Sequence, residues 1–332
     1  MAFITGLYLI DAPASALNNG EAEDTKGMVK NIRTRNGDYP YVSAQAFRYW
    51  LRTSLENNFN AWKASPVYSG GKGKKQQVYT EGNPLFYHDD DLLGYMRAET
   101  AETVTRVSPF RTSTLVSIAS VSLVDDFGVM ARVPKGADDK EGVVLHSHQF
   151  YRATLQGLFS LDLNAAGTFT NQRRSGYQNL GKELQKQAEQ QGLTYIENLQ
   201  AYRLPLDERI RRVQLLLQGL ARIEGGAKQA LHYTDVTPAF VIAAVTRGGN
   251  HIFGHTITAT REGLPVVNEA ALQQVRDVLS ADLLSGIYVG RVAGFMDGSQ
   301  SILDSFGLQT LHPRQALDAL AEDLARHPEW LD

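Results

Sequence analysis

The chain has 332 residues, 43% hydrophobic and 21% charged, with 33 Lys+Arg against 36 Asp+Glu and a net charge of −3. This is the composition of a folded globular protein with enough chain to bury its own core. The absence of cysteine excludes a disulfide framework, a thiolate metal site and a cysteine nucleophile. No apolar run approaches the ~18–20 residues of a membrane span. The N-terminal stretch lacks the basic lead of a secretory signal, so a cytoplasmic protein with no membrane partner is expected.

Charge is segregated along the chain. From Lys26 to Lys75 there are ten basic residues against two acids, a balance of +8; from Glu262 to Asp332 there are eleven acids against four arginines, a balance of −7. A basic stretch in an acidic chain suggests a local anion-binding surface, and phosphate backbones are the usual partner. The alternative is a solvated basic face with no partner.

Phe3–Ile10 reads as a buried strand. Leu17–Gly37 is polar and rich in Asn and Gly, and reads as a long loop. Ser43 caps a helix to about Asn58, with Phe47, Trp50, Leu51 and Leu55 on one face and Gln45, Arg48 and Arg52 on the other. The Gly- and Lys-rich run Ser69–Lys75 reads as a basic loop, and Asp89–Asp91 as a helix start. Arg111–Val124 alternates like a strand. The turn clusters of 125–147 suit a protruding hairpin, and Gln149–Leu163 alternates again. Gly181–Gln191 reads as a polar helix and Leu206–Glu224 as a strongly amphipathic one, ending at Gly225-Gly226. Phe240–Thr246 and His251–Thr260 read as two strands around the Arg247-Gly-Gly-Asn turn. Helices near Glu269–Leu283 and Pro313–Arg326 follow. Without the insertions, the order is βαββαβ. The expected class is therefore α+β, a ferredoxin-like fold of the RNA-recognition (RRM-like) type.

No motif points to catalysis. Ser69–Lys75 has glycines before lysines, but no Ser or Thr follows to complete a P-loop. His251 and His255 lie four residues apart in an expected strand, a span of ~13 Å that is too long for one metal. His146 and His148 have no evident third ligand. Asp89–Asp91 are explained as a helix start, and no G-x-S-x-G elbow occurs. No metal, cofactor or catalytic residue is therefore expected, and the protein is read as a non-enzyme. The most informative constellation is Gln45, Arg48 and Arg52 on one helix face beside a loop carrying Lys30, Asn31 and Arg33. Together they make a candidate phosphate track, with an ordinary solvent-exposed helix face as the alternative.

At these residues the sequence resembles the DevR-type Cas-seven family, the backbone subunit of type I-B CRISPR surveillance (Cascade) complexes. The resemblance lies in Ala14-Ser-Ala-Leu-Asn-Asn and in Tyr39-Pro-Tyr-Val-Ser-Ala-Gln-Ala-Phe-Arg-Tyr-Trp-Leu-Arg. It continues in Asp91-Leu-Leu-Gly-Tyr-Met, Arg106-Val-Ser-Pro-Phe-Arg-Thr-Ser, Gly225-Gly-Ala-Lys-Gln-Ala and Asp235-Val-Thr-Pro. It spans roughly positions 1–245.

The resemblance implies a hand-shaped single domain over 1–332. An RRM-like palm carries a fingers insertion at 57–105 and a thumb hairpin at 124–147, with 262–332 as an acidic outer part. It further implies copies lined up along one CRISPR RNA that pairs with target DNA, beside Cas-five, Cas-eight and Cas-six type subunits. The RNA-binding candidates are then Lys30, Asn31, Arg33, Gln45, Arg48, Arg52, Arg106, Arg111, Gly225, Gly226 and Lys228. Phe127, Met130 or Leu145 are candidates to wedge between bases, with packing on a neighbouring subunit as the alternative. RNA-cleaving relatives use an aspartate near the first loop. Asp38 lies close, but its surroundings match the non-cleaving type, and it reads as a turn residue. A type III-like RNA-cleaving backbone subunit and a stand-alone nucleic-acid-binding regulator are the alternatives.

Overall fold

The computed structural model describes residues 1–20, 26–70, 77–98, 103–130, 144–172 and 177–332. The first apolar run forms β1 (Ala2–Ser15), longer than the sequence predicts. Ile4, Tyr8 and Ile10 enter one core and Leu7 and Leu9 another, because a pleated strand covered on both sides buries alternate residues in opposite directions. The predicted loop 17–37 instead contains β2 (Lys26–Gly27) and β3 (Asn31–Thr34), and β3 forms a hairpin with β4 (Gly37–Val42). Arg33 and Thr34 on this sheet-edge strand are exposed, so no apolar alternation marked it. Helix α1 (Ala44–Asn58) is capped as predicted, the Ser43 hydroxyl accepting from Ala46 N at 3.3 Å, and it buries Phe47, Trp50, Leu51 and Leu55.

The expected fingers region holds the hairpin β5 (Val67–Gly70)/β6 (Gln77–Thr80) and the short helix α2 (His88–Leu92). A second hairpin follows, β7 (Tyr95–Ala98)/β8 (Thr103–Arg106). The strand predicted over Arg111–Val124 is broken into β9 (Phe110–Thr112) and β10 (Leu115–Ser117). Val124 opens a different strand, β11 (Val124–Met130), which pairs with the start of the long β12 (Val144–Asp162). These strands form the expected protruding hairpin; positions 131–143 lie outside the described residues, as does the 71–76 part of the basic loop.

Next, β13 (Thr168–Thr170), α3 (Lys182–Gln190), β14 (Thr194–Ile196) and β15 (Ala201–Arg203) enclose a small core of Phe169, Leu180, Ala188 and Tyr202. Its three-residue strands are too short for alternation to reveal. Helix α4 (Leu206–Ala221) and the single turn α5 (Gln229–His232) lead to β16 (Phe240–Arg247). The predicted hairpin partner at 251–260 is not one. β16 pairs with β1 and a later strand, whereas β17 (Ile257–Ala259) pairs with β18 (Pro265–Val267). The chain ends through α6 (Glu269–Asp277), β19 (Tyr288–Arg291), α7 (Gln300–Ser305), β20 (Thr310–Leu311) and α8 (Pro313–Arg326).

The main sheet runs β20-β19-β16-β1-β12-β10-β4-β3. Its centre, β16-β1-β12-β10, is antiparallel throughout, with α1 falling in sequence between β1 and β10 and α4 between β12 and β16. Helices α1, α4 and α8 pack on one face through Leu51, Leu55, Val213, Leu220, Leu317 and Leu320. On the other face, Leu7, Leu9, Phe240 and Ile242 are covered by Phe253, Leu272, Val275 and Leu303. The acidic C-terminal part therefore supplies core to both faces as well as outer surface.

Candidate nucleic-acid interface

The structure divides the cationic candidates into two groups. Three arginines turn inward. Arg106 is 5% exposed, and its guanidinium donates to Asp91 Oδ1 (2.5 Å), Asp91 O (2.7 Å), Thr168 O (2.8 Å), Ala165 O (2.7 Å) and Asn179 Oδ1 (3.1 Å). With its donors engaged in the interior it ties the 57–105 insertion to the sheet and has no donor facing a ligand. Arg48 donates to Phe110 O (2.8 Å), Ser108 Oγ (3.1 Å) and Leu93 O, fastening α1 to that insertion. Arg52 lies 3.4 Å from the buried Asp89 carboxylate. Of this stripe, Arg48 is thus engaged with carbonyls under the insertion, Arg52 is half-buried beside Asp89, and Gln45 is exposed.

Asp91 is the centre of this knot. Its carboxylate is buried between Arg106 and Arg212 (2.9 Å) and also accepts from Gly167 N (3.0 Å). Asp89 is pushed up to about 6 by burial and by Asp90, against the pull of Arg52. His88 is driven down to about 4 by burial and Arg212. The acids of 89–91 lie inside the short α2 and do not open a helix beyond Leu92, since Tyr95–Ala98 is the strand β7; all three are buried.

The second group faces outward around the loop Leu17–Asn18. Asn18 Oδ1 accepts from Ser43 N (3.0 Å), Asn18 O from Lys30 N (2.9 Å) and Leu17 O from Ala227 N (2.9 Å). Three distant segments therefore meet here: Lys30, the first turn of α1 with Gln45, and the 225–228 turn. That turn needs its glycines. A Cβ on Gly225 would stand 2.3 Å from Trp50 Cγ, and one on Gly226, at φ 99°, 2.7 Å from Leu17. Lys228 follows at φ 54°. Its ammonium lies over Gly27, which pairs with His148 of β12. Among the described residues, neither Lys30 nor Lys228 has a carboxylate partner.

His148 and His232 complete the patch, with ring centroids 5.5 Å apart and Phe150 packed 5.7 Å from His232. Burial lowers both imidazoles, and the Lys228 charge lowers them further. Burial also lowers Lys228. In the sequence His148 stands out only as a candidate metal ligand, and neither His232 nor Lys26 stands out as a site residue. The parallel pairing of Lys26–Gly27 with Ser147–His148 is the tertiary fact that unites them. Lys26 itself pairs with Asp125 at 2.6 Å.

The remaining candidates fall elsewhere. Asn31 Nδ2 and Arg33 Nε both donate to Asp38 Oδ1 at 3.2 Å, so the Asp38 carboxylate is occupied by its own hairpin. Arg111 is exposed, but β9 pairs with Ser160, roughly 40 Å along β12 from His148 at ~3.3 Å per residue. Phe127 lies on the β11/β12 hairpin, 78% exposed. Met130 and Leu145 sit on the same hairpin, paired with Val144 and Val129. Among the described residues no cluster of three metal-ligating side chains occurs, and no helix is long and apolar enough to cross a membrane.

These features define an α+β protein with a four-strand, two-helix centre, a long hairpin, and cations gathered where that hairpin leaves the sheet. The chain belongs to the family described as CRISPR-associated negative auto-regulator DevR/Csa2, whose model matches residues 12–256. The fold is similar to a chain of a solved CRISPR RNA-guided surveillance complex, with a TM-score of 0.58 and 14% identity over 97% of this chain and 99% of that one. It is also similar to a chain of a CRISPR RNA-guided surveillance complex, pre-nicking, with a TM-score of 0.56 and 12% identity over 97% and 99%. No curated protein matches the sequence.

Proposed function

We propose that this protein is the CRISPR RNA-binding backbone subunit of a type I-B surveillance complex. Copies line up along one guide and leave its bases free to pair with target DNA. The observation that carries this reading is the family match over residues 12–256. The similarity of fold to chains of surveillance complexes supports it.

In this reading β16-β1-β12-β10 with α1 and α4 is an RRM-like palm, 57–105 the fingers and 124–147 the thumb. A guide varies in sequence, so its holder must bind backbone and shape and not base identity. Lys30, Lys228 and the Gly225-Gly226 turn suit that task, because unpaired ammonium groups and a side-chain-free turn meet phosphates without reading bases. His148 and His232 add charge once an anion draws protons onto them. The role is non-catalytic, consistent with an Asp38 carboxylate engaged by Asn31 and Arg33. Cas-five, Cas-eight and Cas-six type proteins are the expected companions.

The family description also carries the words negative auto-regulator, which favours a second reading as a stand-alone nucleic-acid-binding regulator. One experiment separates the two. The chain is expressed with its genomic neighbours and a CRISPR array, purified, and its bound nucleic acid sequenced. The backbone reading gives uniform spacer-containing RNAs in a particle with several copies of this chain. Monomers or dimers with no RNA or heterogeneous RNA, beside well-expressed neighbours, would overturn it in favour of the regulator.

A further inference from the structure

Tyr233 closes α5, one residue beyond His232 and five beyond Lys228, and is 91% exposed. Its backbone is left-handed, at φ 47° and ψ 47°, a conformation that a bulky side chain seldom adopts. An aromatic ring therefore stands where neither the backbone nor packing within the chain calls for one. The ring's support is nevertheless fixed. Tyr233 N donates to Gln229 O at 2.8 Å, and the Gln229 amide braces both sides by donating to Gly225 O and to Thr234 O (3.0 Å). Thr234 is in turn bonded to Ser15 at 2.6 Å in the interior.

The ring borders an open trough of about 1070 Å³ whose walls include Arg222, Glu224, Gln229, Asp235 and Arg314. That volume is slightly above the usual range of small-ligand pockets, and Phe59, Ile223 and Val236 join the charged residues in its walls, so the lining mixes apolar and polar surface. Leu231, two residues before, is the other large apolar side chain exposed on α5, whereas a protein partner would ask for a larger contiguous apolar patch than this pair. A nucleobase asks for a flat face to stack on, polar groups at its edge and cations for its phosphate. All three are present here, the cations being Lys228 on the same turn and Lys30 across the Leu17–Asn18 loop.

We propose that Tyr233 is a base-stacking residue, holding one nucleobase of a single-stranded RNA whose backbone crosses the Lys228/His148/His232 patch. This assigns base contact to α5, in addition to any thumb wedge. It rests on the RNA-binding reading above.

The test is fluorescence anisotropy of the full chain with a labelled single-stranded oligouridylate and with an abasic strand of the same length. Tyr233→Ala should bind the oligouridylate about ten-fold more weakly, with the salt dependence unchanged because every phosphate keeps its cation. Both proteins should bind the abasic strand equally. Tyr233→Trp should keep affinity and show indole quenching on binding. Tyr233→Gly relieves the left-handed backbone, so it should melt no lower than the parent while binding the oligouridylate as weakly as Tyr233→Ala, which separates stacking from folding. Equal oligouridylate binding by parent and Tyr233→Ala would overturn the proposal. So would an equal loss on the abasic strand, or unchanged RNA binding with lost self-association, which would make Tyr233 a protein contact. Failure of the parent chain to bind RNA at all would instead overturn the RNA-binding reading itself.

Discussion

The root of the 57–105 insertion and the base of the β11/β12 hairpin are both cationic, yet they differ in burial and in the partners of their charges. At the root of the insertion, Arg106, Arg212 and Asp91 are almost fully buried, with short charge-assisted bonds on each guanidinium. At the base of the β11/β12 hairpin, Lys30 and Lys228 are half-buried but without carboxylate partners, beside two imidazoles that burial lowers. A buried, satisfied guanidinium has no donor left for a phosphate, whereas an ammonium with no carboxylate partner keeps donors for one. The contrast shows that the number of basic residues locates a charged segment but not a binding face.

The largest expected effect comes from breaking the buried side. Asp91→Ala strands two buried guanidiniums and should cost about 3–5 kcal/mol or abolish folding, read by urea denaturation. Arg48→Ala leaves the buried Phe110 carbonyl and its neighbours short of a donor. It should lower stability by about 1–3 kcal/mol in the same assay, and weakened RNA binding without such destabilisation would return Arg48 to the exposed side of the comparison.

On the exposed side, Lys30→Ala plus Lys228→Ala should leave the melting curve within about 0.5 kcal/mol of the parent. It should weaken RNA binding and shallow its salt dependence by about 0.7 in log–log slope for each phosphate that is no longer neutralised. An unchanged slope would remove these lysines from the interface.

Acid sharpens the comparison further. His148 and His232 are held below the usual imidazole range, and a nearby phosphate raises them. RNA binding therefore takes up protons and should tighten as pH falls from about 7 toward 5. His148→Gln plus His232→Gln should flatten that dependence in an anisotropy titration. At the root of the insertion two titrations oppose each other. His88, lowered to about 4, makes the unfolded chain bind more protons below about 6.5, so its contribution to stability is lost as pH falls toward 4. Asp89, raised to about 6, binds its proton more readily when folded, so its contribution rises with acid between about 6 and 3.8. The smallest effect is expected from Arg33→Ala. Its pair with Asp38 is largely exposed, and the change in stability should stay below about 1 kcal/mol by thermal melting.

The sequence by itself determined the α+β class, the capped helix α1, the amphipathic α4, and the hairpin bounded by turn clusters. These follow from local rules: a serine oxygen for a free amide, apolar spacing of 3.6 or 2, and turn residues where the chain reverses. It also determined the region of excess positive charge and the family. It could not reveal β2 and β3, because short or edge strands carry little apolar alternation, nor the partner of β16, because pairing joins residues more than two hundred positions apart. Only the tertiary structure decided which cations face outward. Arg48, Arg52 and Lys30 read alike in one dimension; packing of the 57–105 insertion against α1 engages Arg48 with carbonyls and sets the half-buried Arg52 beside the Asp89 carboxylate. The parallel pairing of Lys26–Gly27 with β12, and the Leu17 bond to Ala227, carry Lys228, His148 and His232 to one surface. Charge is set by the residue, but whether it remains available to a ligand is set by what the fold places beside it.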